Sequence, residues 1–168
     1  MKNAAAIDSS SLIFALRVQP LFDLLERRFS KLLAPQAVYK EVVKAGEALG
    51  KEDAPKAKAL IARGFLRVRD AKPLSGDPRL GAGETEALSI AFREKIILVS
   101  DDRLARNAGK AMGVRVIPLS AFILWAKEKK LVTPRKAEET LNELVKKGYY
   151  LKAETYIALL EKIREATP

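Results

Sequence analysis

The sequence predicts a three-layer α/β fold in which a central parallel sheet of about five strands is flanked by helices and followed by C-terminal helices. Two observations lead to this fold class. Short apolar runs alternate with helical segments over residues 1–118, which is typical of parallel strands joined by helices. The clearest run, Ile96–Val99, is continuously apolar, as expected when helices cover both faces of the sheet. We predict one domain over 1–168, with an α/β core at 1–118 and a helical extension at 119–168.

The strands are identified by short apolar runs that end at polar or turn-forming residues. They are Ala4–Ile7, Lys31–Ala34, Phe65–Val68, Ile96–Val99 and Val114–Ile117. The helices are identified by apolar residues at helical spacing, with Pro or Gly at the boundaries. They are two short helices on either side of Pro20, one that opens at Pro35, and then Ala54–Arg63, Glu84–Glu94, Leu104–Met112, Ser120–Lys130, Thr133–Lys147 and Lys152–Glu165. The residues at 70–83 are rich in Pro and Gly and are predicted to form a loop.

The 168-residue chain contains neither cysteine nor histidine. Disulfides, zinc–thiolate sites, cysteine nucleophiles and Ser-His-Asp triads are therefore excluded, and catalysis must use carboxylates, hydroxyls, Lys, Arg or Tyr. Carboxylates favour hard ions such as Mg²⁺ or Mn²⁺. The net charge of +10 favours a polyanionic partner, nucleic acid being the first candidate and a merely solvated basic surface the alternative.

No segment is predicted to enter a membrane. Charges interrupt the apolar runs well before the ~20 residues that a spanning helix needs. Asp8 interrupts the apolar start of the chain, so the sequence shows no export signal. We expect a cytoplasmic protein with no membrane partner.

Acidic residues from distant parts of the chain are predicted to converge on one edge of the sheet. Asp8 ends the first strand, and Asp101 and Asp102 follow the fourth. Glu84 begins the helix that leads into the fourth strand, and Glu41 lies in the helix after the second. Active sites of open parallel sheets lie at the carboxyl ends of the strands. Because converging carboxylates repel unless a cation neutralises them, this pattern indicates a divalent metal site able to serve a nuclease.

Each acid also has a structural explanation. Asp8 can cap the first helix, and a member of the Asp101–Asp102 pair can cap the helix that begins near residue 104. Glu84 and Glu86 can be first-turn acids that favour the helix dipole, and Glu41 can be a solvated helical residue. These alternatives stay open at the level of the sequence.

Four motifs, in this order, resemble those of PIN domains, closest to the DUF3368 subgroup. They are Ile7-Asp8-Ser9-Ser10-Ser11-Leu12-Ile13, Pro35-Gln36-Ala37-Val38-Tyr39-Lys40-Glu41-Val42, Gly83-Glu84-Thr85-Glu86-Ala87-Leu88-Ser89-Ile90-Ala91 and Leu98-Val99-Ser100-Asp101-Asp102. The tail resembles the subgroup too, through Leu124-Trp125-Ala126-Lys127-Glu128-Lys129-Lys130-Leu131 and Lys147-Gly148-Tyr149-Tyr150-Leu151. The resemblance covers nearly the whole chain.

The resemblance implies a metal-dependent ribonuclease that cleaves single-stranded RNA, commonly the toxin of a VapBC-type toxin–antitoxin pair and commonly a homodimer. RNA, a small antitoxin and a second copy are then the expected partners, and Mg²⁺ or Mn²⁺ the cofactor. The acids that carry over as catalytic and metal-binding residues are Asp8, Glu41, Glu84 and Asp102, with Glu86 and Asp101 as secondary candidates.

Two details of the carried-over site concern this chain in particular. Many members have Asp at the third acidic position, whereas this chain has Glu84, whose carboxylate is one methylene further from the backbone. The spacing from Glu84 to Asp102 suits that of the family. Ser10 and Ser100 carry over as polar neighbours that can orient a ligand or a water molecule.

Two further features bear on partners. Arg103, Arg106 and Lys110 share one face of the helix after Asp102 and are predicted to contact RNA phosphates, with a solvated face as the alternative. The first two short helices carry more apolar residues than one buried stripe requires, which favours a homodimer that covers the excess. Those residues are Leu12, Phe14, Leu16, Val18 and Phe22.

Three other functions are less well supported by the sequence. A PIN-like protein that binds nucleic acid without cutting it would tolerate loss of the acids, yet all four are present. A phosphoacceptor receiver domain needs an acidic pair after the first strand, whereas the pair here follows the fourth. A dinucleotide-binding domain is disfavoured because no G-x-G-x-x-G motif follows the first strand.

Overall fold

A computed structural model describes residues 3–74 and 77–165 and contains one parallel sheet with the strand order β3-β2-β1-β4-β5. The strands are β1 (Asn3–Ile7), β2 (Phe29–Pro35), β3 (Leu66–Arg69), β4 (Ile97–Val99) and β5 (Val116–Ile117). The predicted fold class and all five predicted strands are confirmed. The ends of the predicted domain, 1–2 and 166–168, and residues 75–76 of the predicted loop lie outside the described residues.

Helices fill the segments between the strands and the whole C-terminal part. They are α1 (Ser9–Arg17), α2 (Gln19–Arg28), α3 (Gln36–Tyr39), a π-helical turn (Lys40–Lys44), α4 (Ala45–Ala48), α5 (Asp53–Ala62), α6 (Ala82–Glu94), α7 (Arg103–Met112), α8 (Leu119–Glu128), α9 (Pro134–Lys146) and α10 (Ala153–Arg164). The predicted helices are therefore present, with ends that differ by one or two residues at most positions. The π-helical turn was not predicted.

The register of the central strands places the candidate acids at one edge of the sheet. In the register of β1 and β4, Ile7 lies beside Val99. The Asp8 amide continues this pairing and donates to the Val99 carbonyl at 3.4 Å. The residues that follow both strands, Asp8 on one and Ser100 to Asp102 on the other, therefore emerge next to each other.

Two hydrophobic clusters cover the faces of the sheet. The smaller packs α6 and α7 against one face, with Ala6, Leu33 and Leu98 on the strands. The larger contains Ile7 of β1 together with Leu119, Phe122, Leu141 and Ile163 of the C-terminal helices. The segment predicted as an extension thus shares its core with the α/β part. Among the described residues, no helix is both long enough and apolar enough to cross a membrane.

The apolar residues of the first two helices are not left exposed on the surface of the single chain. The sequence-based argument for a dimer that rested on their exposure is therefore wrong. Leu12, Leu16, Val18 and Phe22 are all buried within the single chain. Phe14 is half-buried and packs edge-on against Tyr149, with ring centroids 5.4 Å apart. The chain itself therefore covers most of the surface that a second copy was expected to cover.

Candidate active site

Asp8 is completely buried at the junction of β1 and α1. Its Oδ1 caps α1 by accepting a hydrogen bond from the Ser11 amide at 2.9 Å, as the capping interpretation expects. Its Oδ2 is buried and has no hydrogen-bond partner among the described residues. Burial raises the pKa of Asp8, against the opposing effect of the nearby Ser100 and Ser11 hydroxyl groups and the Ser11 amide. Capping therefore accounts for one oxygen of this carboxylate and leaves the other orphaned.

Asp102 follows the same plan after β4. Its Oδ1 caps α7 by accepting from the Ala105 amide at 2.7 Å. Its own amide donates to the Ser100 Oγ at 3.2 Å, which ties the two residues that leave the strand. The charge of Asp102 contributes to the raised pKa of Asp8. Both aspartates are thus held by helix N-termini and lie within electrostatic reach of each other.

Glu84 lies in the first turn of α6, and its carboxyl group interacts electrostatically with the other three candidate acids. Its pKa is raised, first by partial burial and then by the negative charges of Asp8, Glu41 and Asp102. The glutamate side chain folds back towards Gly81, where a Cβ atom would lie only 2.3 Å from Glu84 Oε2. The four acids therefore share one electrostatic environment, with the Glu84 carboxylate turned towards the start of its own helix.

Glu41 is exposed and lies on the π-helical turn, a local geometry that is often found at functional sites. Its Oε1 is close to Gly83, at 3.6 Å from the position that a Cβ atom would occupy there. The Ser9 Oγ is 3.2 Å from the same position, is buried, and has no hydrogen-bond partner in the described part of the chain. The missing side chain at Gly83 keeps the space between Ser9 and Glu41 open.

The secondary candidates have other partners. Glu86 accepts a hydrogen bond from the Ala37 amide at 3.2 Å and so satisfies the start of α3. Asp101 accepts from the Leu119 amide at 3.3 Å and from the Tyr149 hydroxyl, which links the site to the C-terminal helices. Burial, opposed by the Tyr149 hydrogen bond, raises the pKa of Asp101 to about 6. Sequence reasoning did not identify Tyr149 as a partner of the site.

The two serines carried over from the resemblance lie beside Asp8 in different ways. Ser10 is exposed and its hydroxyl donates to Asp8 Oδ1 at 3.5 Å, a long hydrogen bond. Ser100 is fully buried between the two aspartates. Ser11, which was considered only as a cap, also donates from its hydroxyl to Asp101 Oδ2 at 3.4 Å. The serines thus surround the carboxylates with hydroxyl groups.

A divalent cation fits the chemistry of these residues. All the donors are carboxylate or hydroxyl oxygens, which hard ions prefer, and the orphaned Asp8 Oδ2 lacks the partner that a buried oxygen normally has. Within residues 3–74 and 77–165, no three acidic side chains are close enough together to hold a metal ion as they are positioned. A metal ion shared by all four acids would therefore require the folded-back Glu84 and the exposed Glu41 to change their side-chain conformation.

A basic surface adjoins the acids along α7, which begins directly after Asp102. Arg103, Arg106 and Lys110 are all exposed and line a shallow groove of about 570 Å³. In the part of the chain that the structure describes, none of the three forms an ion pair. The predicted shared face of these residues is therefore present, and its positive charge is free to meet an anion.

Comparison with known proteins agrees with this architecture. A solved structure of a PilT N-terminus domain protein from the hyperthermophilic archaeon Sulfolobus solfataricus P2 is similar in fold, with a TM-score of 0.50 and 19% sequence identity. The similarity covers 71% of this chain and 89% of that chain. A search of curated proteins found no match.

The sequence model of the DUF3368 family, described as a PIN domain, matches residues 4–165. PIN domains are typically nucleases and generally use divalent metal ions. The chain belongs to the DUF3368 family of PIN domains.

Proposed function

We propose that this protein is a metal-dependent endoribonuclease that cleaves single-stranded RNA, with Mg²⁺ or Mn²⁺ held by Asp8, Glu41, Glu84 and Asp102. One observation carries the proposal: partial burial and then the charges of Asp8, Glu41 and Asp102 raise the pKa of Glu84, and a buried oxygen of the Asp8 carboxylate has no hydrogen-bond partner among the described residues. Such an accumulation of unneutralised negative charge is unfavourable in a protein unless a cation or protons compensate it.

The caps determine how the chain presents its carboxylates. Asp8 and Asp102 are each fixed through Oδ1 by a helix amide, and Oδ2 of Asp8 is left without a hydrogen-bond partner among the described residues. Glu84 lies on the first turn of α6 and Glu41 on the π-helical turn, and the proposal requires a change of rotamer at both residues. A divalent ion bound by these groups supplies charge stabilisation at the phosphate and activates a water molecule for hydrolysis. No imidazole is required.

The basic face of α7 supplies the complementary part of the proposal. Arg103, Arg106 and Lys110 run along the helix away from Asp102 and are suited to hold the RNA backbone. Phosphate contacts of this kind position a strand without reading its sequence. They therefore support binding of RNA irrespective of its sequence.

The direct test is cleavage of a panel of labelled single-stranded RNAs with Mg²⁺, with Mn²⁺ and with EDTA. We expect cleavage in either metal and none in EDTA. The Asp102→Asn variant should be inactive, whereas Asp23→Asn, which changes a carboxylate on α2 whose hydrogen-bond partner is Gln19, should keep full activity. Equal cleavage with and without the chelator would exclude the metal mechanism. RNA binding without cleavage in both metals would favour the non-cutting alternative.

We also propose that the enzyme is the toxin of a VapBC-type pair and binds a small antitoxin. This part rests on the family resemblance, since the toxins of such pairs are commonly PIN domains. A small reading frame for a DNA-binding protein beside the gene would support it. Induced expression should stop growth of the host cell, co-expression of that neighbour should restore it, and Asp102→Asn should be harmless. Unimpaired growth on expression of an active enzyme would contradict the toxin role.

A further inference from the structure

A second groove lies at the edge of the sheet where the strands begin, opposite the edge that carries the acids. It has a volume of about 940 Å³ and is lined by the starts of β1, β2 and β4 and by the ends of α6 and α7. We call it the basic groove. The lining residues that define it are Arg28, Lys31, Phe92, Arg93, Lys95 and Arg115.

The charge of the basic groove is strongly one-sided. Of the described residues that line it, five are cationic and only Glu94 is acidic. None of the five cations forms an ion pair within 3–74 or 77–165. Arg93 and Lys95 lie at the end of α6, where cations favour the helix dipole, but Lys31 and Arg115 lie at strands and have no such explanation. The groove therefore presents positive charge that the fold itself does not neutralise.

Phe92 adds an aromatic surface to this charge. Its side chain is 46% exposed and belongs to neither hydrophobic cluster, so it does not serve the core. A cationic groove with an exposed aromatic ring is the combination that binds single-stranded nucleic acid, because the cations follow the phosphates and the ring stacks on a base. In double-stranded RNA the bases are stacked on one another, so none is available to stack on the ring.

The basic groove is continuous with the basic face of α7. Val114 lines both the groove beside Arg103, Arg106 and Lys110 and the basic groove. α7 has ten residues and so spans roughly 15 Å between the acids at its start and the basic groove at its end. One strand can follow this helix from the acidic edge to the opposite edge of the sheet.

We propose that the basic groove is a second binding site for the same single-stranded RNA, which runs from the acids along α7 and stacks a base on Phe92. The inference rests on the proposed ribonuclease function and adds to it a site distant from the chemistry. It requires that long RNAs bind more tightly than short ones, and that the gain depends on the basic groove.

Fluorescence anisotropy in EDTA, over a salt series, measures this with single-stranded RNAs about 5 and about 20 nucleotides long. We expect the triple variant Arg93→Gln/Lys95→Gln/Arg115→Gln to bind the long RNA about tenfold or more weakly than the wild type. The slope of its log binding constant against log salt concentration should fall in magnitude by about 2, since each phosphate contact on a single strand contributes about 0.7. Binding of the short RNA should be unchanged. Phe92→Ala should weaken the long RNA by about fivefold or more with an unchanged salt slope, because stacking releases no counterions.

Two control variants separate the possible failures. Lys51→Ala/Lys58→Ala/Lys136→Ala removes the same charge from residues that line neither groove and should leave binding nearly unchanged. Arg103→Ala/Arg106→Ala/Lys110→Ala should weaken both RNAs if α7 holds the backbone. Loss of binding in this α7 variant, with wild-type affinity for the long RNA in both basic-groove variants, would overturn the second site alone. Absence of RNA binding by the wild-type protein would overturn the proposed function together with it.

Discussion

The oxygens of the Asp8 carboxylate have different environments, and this separation decides how the residue can be tested. Oδ1 caps α1, whereas Oδ2 is buried and has no hydrogen-bond partner within residues 3–74 and 77–165. Asparagine keeps the capping oxygen, because it is as good a cap as aspartate, but lacks the negative charge. Substitution by Asn therefore isolates the charge, and substitution by Ala removes the cap as well.

We expect Asp8→Asn and Asp102→Asn to lower RNA cleavage by at least about 100-fold, since loss of even the outer partners of metal ligands costs about 10- to 100-fold. In EDTA, the melting temperature of both variants should be unchanged or higher, because burial and mutual repulsion disfavour the charged carboxylates. Asp8→Ala should melt lower than Asp8→Asn because the cap is lost, at about 1 kcal/mol. A large fall in melting temperature for both Asn variants would instead make capping their main role.

Asp101 predicts a pH dependence of stability. Its pKa in the folded protein is about 6, above its ordinary value of 3.8, so the folded state binds this proton more tightly than the unfolded state does. Stability is therefore lost as the pH rises from about 4 to about 6, on the order of 2 kcal/mol for this residue. Urea unfolding in EDTA should show a smaller loss for Asp101→Asn than for the wild type over this range. Parallel curves for the two proteins would contradict the assignment.

Helices α6 and α7 each contain a glycine that lies close to atoms of another element, and the two glycines serve different purposes. A Cβ atom at Gly83 would lie 3.2 Å from the Ser9 Oγ and 3.6 Å from Glu41 Oε1, both on side chains that can turn away. A Cβ atom at Gly109 would lie 2.5 Å from Val116 Cγ2 and 3.1 Å from the Val114 carbonyl oxygen, which is fixed in the backbone. The first glycine keeps the site open, and the second allows α7 to approach β5.

This difference predicts opposite consequences for the same substitution. Gly83→Ala should leave stability unchanged or raise it by up to about 1 kcal/mol, the helical preference of Ala, while RNA cleavage falls because the methyl group fills the space beside Glu41. Gly109→Ala should cost about 1–3 kcal/mol through overpacking. Chemical unfolding and cleavage assays on the two variants check this. Full activity in Gly83→Ala would show that the space beside Glu41 is not used.

The elements were largely predictable from the sequence, since each strand is a short apolar run with a clear boundary. β5 is shorter than predicted. Only Val116 and Ile117 of the predicted strand Val114–Ile117 pair with β4. The π-helical turn was missed because its residues keep ordinary helical spacing in the sequence. Tyr149 and the orphaned Ser9 hydroxyl were missed because their roles depend on tertiary contacts, such as that of Tyr149 with Asp101, 48 residues earlier. Whether the four predicted acids bind a metal stays a prediction.

The C-terminal part of the chain helps to position the acidic residues of the candidate site. Tyr149 reaches Asp101 from the segment after α9, and Leu119 at the start of α8 donates its amide to the same carboxylate. Removal of the Tyr149 hydroxyl would leave a buried carboxylate with one fewer donor. The helical extension therefore contributes to the position of Asp101 as well as to the hydrophobic core.

The family resemblance predicts a homodimer, although the apolar residues first used to argue for one are buried. Light scattering at micromolar concentration should give twice the chain mass of 18.5 kDa. Four of the six large apolar side chains that remain exposed among the described residues lie on the C-terminal part of the chain, namely Leu131, Val145, Tyr150 and Ile157. A mass of 18.5 kDa at these concentrations would contradict the dimer.

The strand order also determines when during synthesis the proposed site can form. β1 first pairs with β2, which follows it closely, but its other neighbour is β4, and Asp8 meets Asp102 only through that pairing. Because a chain folds progressively as it leaves the ribosome, a nascent fragment that lacks β4 cannot assemble the four carboxylates. Asp101 acquires its tyrosine partner later still, when residue 149 has emerged. An unfinished copy of the proposed ribonuclease is therefore held inactive beside the ribosomal RNA and messenger RNA that surround it.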